Sequence, residues 1–207
     1  MTRRAALGQF VRHPTPWLLA GWVVAATAGR GVVGFPWRWR ELIVIAVLLA
    51  VQPVAEWVIH VGILHWRPRR LGRFTIDLHM AKEHRIHHRD PKDLEILFVP
   101  MGGLFLAMIG TTALAWFLAA SHGEALTISA TVGLQFCAYE WIHYLIHSPY
   151  RPRSSWYRAR WRNHRLHHFR NEGYWLGVTS NLGDRLLGTN PAKNEVPLSP
   201  TAQVLHS

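Results

Sequence analysis

The chain has 207 residues and a net charge of +11, from 23 Lys and Arg against 12 Asp and Glu, yet 49% of it is hydrophobic and only 17% charged. So much apolar content with so few charges excludes a disordered chain, and the length fits a single domain. One cysteine, Cys137, excludes a disulfide framework and any all-cysteine metal site.

In chain order, residues 1–15 form a short N-terminal segment carrying Arg3, Arg4 and Arg12. A first apolar stretch follows at about 16–35, interrupted by Arg30. The second, 41–66, holds only Glu41 and Glu56. The third, 96–123, has no charged residue, and the fourth, 125–150, has only Glu140. A helical crossing needs roughly 20 apolar residues, so residues 16–207 are expected to form one all-α integral membrane domain with about four transmembrane helices. No secretory signal is evident, because the first stretch lacks a cleavage site and further spans follow it.

Four crossings with the N-terminus inside put twenty of the 23 basic residues on one side and three, Arg30, Arg38 and Arg40, on the other. The positive-inside rule then makes both termini cytoplasmic. Trp17, Trp37 and Trp39 fall near span ends, where indole rings favour the headgroup level. Anionic lipid headgroups, rather than nucleic acid, are the expected partner of the basic face.

Ten of the 14 histidines fall into four clusters: His60 and His65; His84, His87 and His88; His143 and His147; His164, His167 and His168. Imidazole is the commonest protein metal ligand and suits iron and zinc. On a helix, positions i, i+3 and i+4 share a face, so each triad projects together and His143 pairs with His147. His60 and His65 are five apart, about 140° round an ideal helix. They share a direction only if the helix departs from ideal geometry, or else they serve metals on either side. The second span, at about 1.5 Å per residue, is about 39 Å long against a hydrocarbon core of roughly 30 Å, so its histidine end is expected to protrude. All four clusters then reach one cytoplasmic, histidine-rich helical cap, where ten imidazoles divide into five for each of two metals. His13, His122 and His206 stand apart and are expected on the surface; His79 is left out of the ligand set.

The order HxxxxH, HxxHH, HxxxH, HxxHH resembles the membrane fatty acid hydroxylase superfamily, which includes sterol desaturases. His87-His88 followed by Arg-Asp-Pro-Lys-Asp and an apolar run to Pro100 is similar to the segment after that family's first triad. Tyr139-Glu140-Trp141-Ile142-His143-Tyr144 resembles its second membrane box. Asn163-His164-Arg165-Leu166-His167-His168-Phe169, then Gly177-Val178-Thr179-Ser180, Asp184 and Gly188-Thr189, resembles its tail. The resemblance covers roughly residues 50–190. It implies a dinuclear metal site held by His60, His65, His84, His87, His88, His143, His147, His164, His167 and His168, with two iron ions in the active form and O2 as co-substrate. The implied reaction is hydroxylation or desaturation at a C–H bond of a lipid, most simply a fatty acyl chain or sterol. With about 15 residues before the first span, electrons are expected from a separate ferredoxin- or cytochrome b5-like donor and its reductase. Where the family often has a large aromatic before the tail Asp, this chain has Gly183.

The chemistry agrees with the residues. Oxidising an alkyl C–H bond needs a redox cofactor, since no side chain supplies that power, and an all-imidazole shell leaves the positive charge of two metals intact. Glu56, one turn before His60, and Glu140, three residues before His143, are expected to turn and orient imidazoles, together with Asp90 and Asp93 after the first triad. Zinc can occupy such a shell in place of iron. The rival readings are a carotenoid hydroxylase of similar architecture, an acyl desaturase, a bis-histidine haem carrier, a zinc hydrolase and a metal transporter. The histidine pair on the fourth span is not the desaturase arrangement. Ten histidines overfill a catalytic zinc site, which usually has three protein ligands.

Overall fold

The computed structural model describes residues 1–34 and 38–205; Trp37, Phe35 at the end of the first expected span, and His206 lie outside them. Helix α1 (Arg3–Phe10) leads into α2 (Pro14–Val33) and α3 (Trp39–Ile59), and α3 runs on without a break through a π-helical turn, His60–Leu64. A two-stranded antiparallel hairpin follows, β1 (Arg69–Leu71) and β2 (Phe74–Ile76). Then come α4 (His79–Arg89), α5 (Met101–Leu118), α6 (His122–His147), α7 (Ser155–Phe169) and the short α8 (Leu182–Leu186), with one 3-10 turn at Lys193–Glu195.

Three of these helices are long and apolar enough to cross a membrane: Pro14–Val33, Trp39–Leu64 and Met101–Leu118. The fourth expected span is the long helix α6, which is less apolar for a physical reason. It is the central helix, packed against α2, α3 and α5. Its Thr127, Ser129, Thr131 and Gly133 are buried against neighbours rather than facing lipid. Small residues there let helices approach closely, and the Ser129 and Thr131 hydroxyls donate to carbonyls four residues back, Ala125 and Thr127. The third span begins later than the expected residue 96. Pro100 is the N-cap of α5, and the backbone before a proline resists helical geometry, so 96–100 is a loop.

Two of the charges that interrupt the first two spans, Arg30 and Glu41, meet at the end of the bundle remote from the clustered histidines. Arg30 forks onto Glu41, with Nε and Nη2 donating at 2.8 and 2.9 Å, and the Thr127 hydroxyl donates to the same carboxylate at 2.6 Å. Arg30 and Glu41 are both buried, so each neutralises a charge that would otherwise be costly among apolar helices.

The other end carries the cap. Helix α1 is part of it: Phe10 packs on Phe98, Trp141 and Tyr144, and Arg3 Nε donates to the Tyr150 hydroxyl at 3.0 Å. His13, expected on the surface, is partly exposed, stacks on Phe98 at 3.9 Å and caps α2 by accepting from the Thr15 amide. His122 is exposed, as expected. Helix α8 rests directly on α3: a Cβ on Gly183 would lie 2.3 Å from the Pro53 carbonyl oxygen. That approach leaves no room for the large aromatic side chain the family often has there.

Candidate metal centre

Four elements deliver the ten clustered histidines to one place. The π turn solves the spacing problem of the first pair. Its wider turn closes with the His65 amide donating to the His60 carbonyl at 2.9 Å, an i to i+5 bond that brings residues five apart onto one side. His60 and His65 thus join His84 and His88 from α4 and His167 from α7, with one ligand atom from each lying within 4.8 Å of all the others. His87 from α4, His143 and His147 from α6, and His164 and His168 from α7 form a second group on the same criterion. Helices α4 and α7 serve both groups, and the His88 and His168 rings stack at 4.1 Å across the wall between them.

The contacts inside each group are compatible with a ligand shell. His60 Nε2 and His88 Nε2 lie 3.2 Å from His84 Nε2. In the second group, His143, His147 and His168 Nε2 lie 3.1, 3.0 and 3.1 Å from His164 Nε2. A neutral imidazole has one donor and one acceptor nitrogen, so several Nε2 atoms converging on one cannot all be satisfied by each other. Both ring nitrogens of His87 and Nε2 of His167 are buried without a hydrogen-bond partner. Buried polar atoms are otherwise nearly always paired. Lone pairs converging from five rings onto one point fit a borderline metal ion, twice over.

The first group is oriented by main-chain carbonyls. His60 Nδ1 donates to Leu176 O at 2.6 Å, His88 Nδ1 to Ala202 O at 2.8 Å and His167 Nδ1 to Tyr174 O at 2.9 Å. A carbonyl only accepts, so each Nδ1 carries the proton and each Nε2 keeps its lone pair. Between the two carbonyls of the 174–176 loop sits Trp175, buried and held at φ 55°, a left-handed conformation uncommon for a large side chain.

Two carboxylates hold this loop. Asp184 is fully buried and accepts from the Leu176 and Gly177 amides, both at 2.8 Å, and from the Thr189 hydroxyl at 2.6 Å. Glu56 accepts from the Val178 and Thr179 amides, the Thr179 hydroxyl and Gln52 Nε2. Glu56 therefore acts on the loop rather than on an imidazole. Glu140 accepts from Thr15 Oγ1 at 2.7 Å and from the Val99 amide at 2.9 Å, fixing the 96–100 loop. Asp90 and Asp93 close local turns onto the Lys92 and Glu95 amides. Among the described hydrogen bonds none joins these five carboxylates to an imidazole, and the Nδ1 protons of His60, His88 and His167 go to main-chain carbonyls instead. Asp184 stood in the tail motif but was not among the expected site residues. A buried aspartate followed by Gly188-Thr189 was the signal for it.

Burial pushes the imidazoles of the cap, His84, His87, His88, His164, His167 and His168, below their ordinary value, with repulsion between neighbouring protonated rings adding to it. For His88 the value falls to about 3. All six stay neutral near pH 7, as metal ligation requires. A narrow cleft reaches His84 of the first group and His87 and His143 of the second. Leu64, Ile96, Leu97 and Phe98 give it apolar walls, and Glu83 is a carboxylate on its lining.

Comparison with known proteins points to one family. The family model described as fatty acid hydroxylase matches residues 45–189. A dihydroceramide fatty acyl 2-hydroxylase from Arabidopsis thaliana is 26% identical over 180 residues, covering 86% of this chain and 72% of the relative. Among solved structures, full-length scs7p, of which only the hydroxylase domain is visible, superposes with a TM-score of 0.66 at 21% identity. The match covers 90% of this chain and 67% of that one.

Proposed function

The chain belongs to the fatty acid hydroxylase family, and on that premise we propose that it is a membrane-bound non-haem di-iron oxygenase acting on the acyl chain of a membrane lipid. The observation that carries the proposal is the pair of five-imidazole groups, largely buried, with one ligand atom from each ring converging within 4.8 Å and with the Nε2 atoms of His87 and His167 lacking a hydrogen-bond partner. His60, His65, His84, His88 and His167 would hold one metal, and His87, His143, His147, His164 and His168 the other. Bound iron would supply the activation of O2 that no side chain can. The balance is R–H + O2 + two electrons + two protons giving R–OH + H2O, with the electrons delivered by a separate ferredoxin- or cytochrome b5-like carrier and its reductase.

The chain's own residues position and exclude. The carbonyls of Tyr174, Leu176 and Ala202 fix three tautomers, and Glu56 and Asp184 hold the loop that bears the first two. The apolar cleft would direct a hydrocarbon toward the imidazole groups and limit the access of bulk water, with Glu140 bracing its 96–100 wall through the Val99 amide. The cleft walls are apolar, as an acyl chain requires, and the acyl 2-hydroxylase activity named for the Arabidopsis relative supports that substrate class over a sterol or carotenoid. The excess of basic residues on the histidine side supports cytoplasmic termini.

The test is incubation of nanodisc-embedded, iron-loaded protein with an acyl lipid, a reducing system and 18O2. The proposal expects one 18O atom in a hydroxylated acyl chain. Unchanged lipid, or oxygen drawn only from water, would refute it.

A further inference from the structure

The β1–β2 hairpin has no role in the metal centre, yet it is a built feature. Only residues 65–68 separate it from Leu64, the last residue of a helix long and apolar enough to cross a membrane, so the chain enters it close to the bilayer surface. Its register pairs Arg69 with Ile76, Arg70 with Thr75 and Leu71 with Phe74. Since side chains alternate across a strand, Arg69, Leu71, Phe74 and Ile76 share one face, and Arg70 and Thr75 the other. Leu71 is 68% exposed, Phe74 63% and Ile76 42%. Residues 66–76 carry Arg67, Arg69, Arg70 and Arg73 and no Asp or Glu.

An isolated two-stranded ribbon is marginal in water, and this one is clamped at its base. Arg85 Nη1 donates to Trp66 O at 3.1 Å and Nη2 to Asp77 Oδ2 at 2.5 Å, gripping both ends of the hairpin. Arg69 lies over the Trp66 ring at 4.7 Å and Arg73 over Phe74 at 5.0 Å. The turn is tight, with Gly72 at φ 60° in the first central position, where a two-residue hairpin loop calls for glycine. Arg85 follows His84 directly, so the clamp ties the hairpin to the helix that feeds both imidazole groups.

We infer that this hairpin docks on anionic lipid, with Leu71, Phe74 and Ile76 among the upper acyl chains and its arginines on headgroup phosphates. Exposed apolar side chains ringed by arginines match such a surface: the apolar part is buried at the acyl boundary, and each cation gains from the negative leaflet. An acidic soluble protein would satisfy the arginines but would meet the apolar face only by leaving the bilayer boundary. Docking would hold α4, and with it the cleft lined by Met80 and Glu83, at the level where a lipid's headgroup and acyl chain meet. The inference rests on the membrane location alone and not on the metal or the reaction.

The experiment places a nitroxide at Phe74→Cys, or at Thr75→Cys on the opposite face, in a Cys137→Ser background of the full chain. Power-saturation EPR reads its accessibility to O2 and to an aqueous nickel complex. In nanodiscs of phosphatidylglycerol and phosphatidylcholine, position 74 is expected to be open to O2 and shielded from nickel, and position 75 open to nickel. Replacing Arg69, Arg70 and Arg73 by Ser should lower the inserted-to-free ratio on the order of a hundredfold, about fivefold per arginine. Nickel access at both positions would overturn the inference. So would equal insertion in phosphatidylcholine alone, or shielding of position 74 only after an acidic electron carrier is added. Wild-type metal content in the labelled protein confirms that the fold is intact.

Discussion

Asp184→Asn separates the two imidazole groups. Asp184 receives three donors, two on Oδ1 and one on Oδ2. An asparagine keeps one acceptor oxygen and turns an NH2 toward at least one of those donors. Each buried donor left unpaired costs about 1–3 kcal/mol, so the 174–176 loop should loosen by about that amount. That loop presents the Tyr174 and Leu176 carbonyls to His167 and His60, and both of these histidines belong to the first group. Loss of an orienting partner behind a metal-bound imidazole typically costs 10–100-fold in affinity. The second group takes none of its histidines from contact with this loop. Metal content per chain, followed during dialysis against a graded chelator series, should therefore change from one release step to two, with the weaker metal displaced by about that factor. Release of both metals together, or an unchanged profile, would refute the idea that Asp184 acts through this loop on one group only.

Other outcomes follow from the same geometry. His167→Ala should abolish lipid oxidation and lower metal content while the protein still reaches the membrane, whereas His122→Ala, exposed and far from both groups, should change neither; metal analysis and product assays on the two variants check this. Ile96→Trp should fill the cleft, so that both metals are retained but turnover of acyl lipid falls at least tenfold; loss of metal instead would mean that 96 is structural. The cap imidazoles are pushed below the 6.5 of a free side chain, so an unfolded chain takes up more protons than the folded one as pH falls through 6.5. Stability is therefore full above that pH and declines beneath it, by up to about 1.4 kcal/mol per pH unit for each such histidine. Thermal melting between pH 5 and 8 should show this fall on the acid side, and a transition that rises toward acid would contradict it.

The sequence makes the gathering of histidines legible because helical spacing fixes faces. Two HxxHH triads and an HxxxH pair leave little freedom once their helices meet. It does not reveal how His60 and His65 converge, since the π turn depends on a main-chain bond, His65 N to His60 O, that no residue type dictates. Nor does spacing distinguish a carboxylate that touches an imidazole from one that holds a loop. Glu56 sits where a helical wheel aims it at His60, but its oxygens go to Val178 and Thr179. Long-range packing also set what local hydropathy could not. Helix α6 is less apolar because it is central, and residues 96–100 leave the helix because Pro100 and the Glu140–Val99 bond draw them over the cleft. The role of Asp184 was visible only as a motif letter until the fold placed it beneath the 174–176 loop.

The most direct test is metal stoichiometry, with an optical spectrum, of detergent-purified protein from iron-supplemented cells. The two five-imidazole groups predict about two non-haem metal ions per chain, one for each group. No bound metal, or a single haem with its Soret band, would contradict the account.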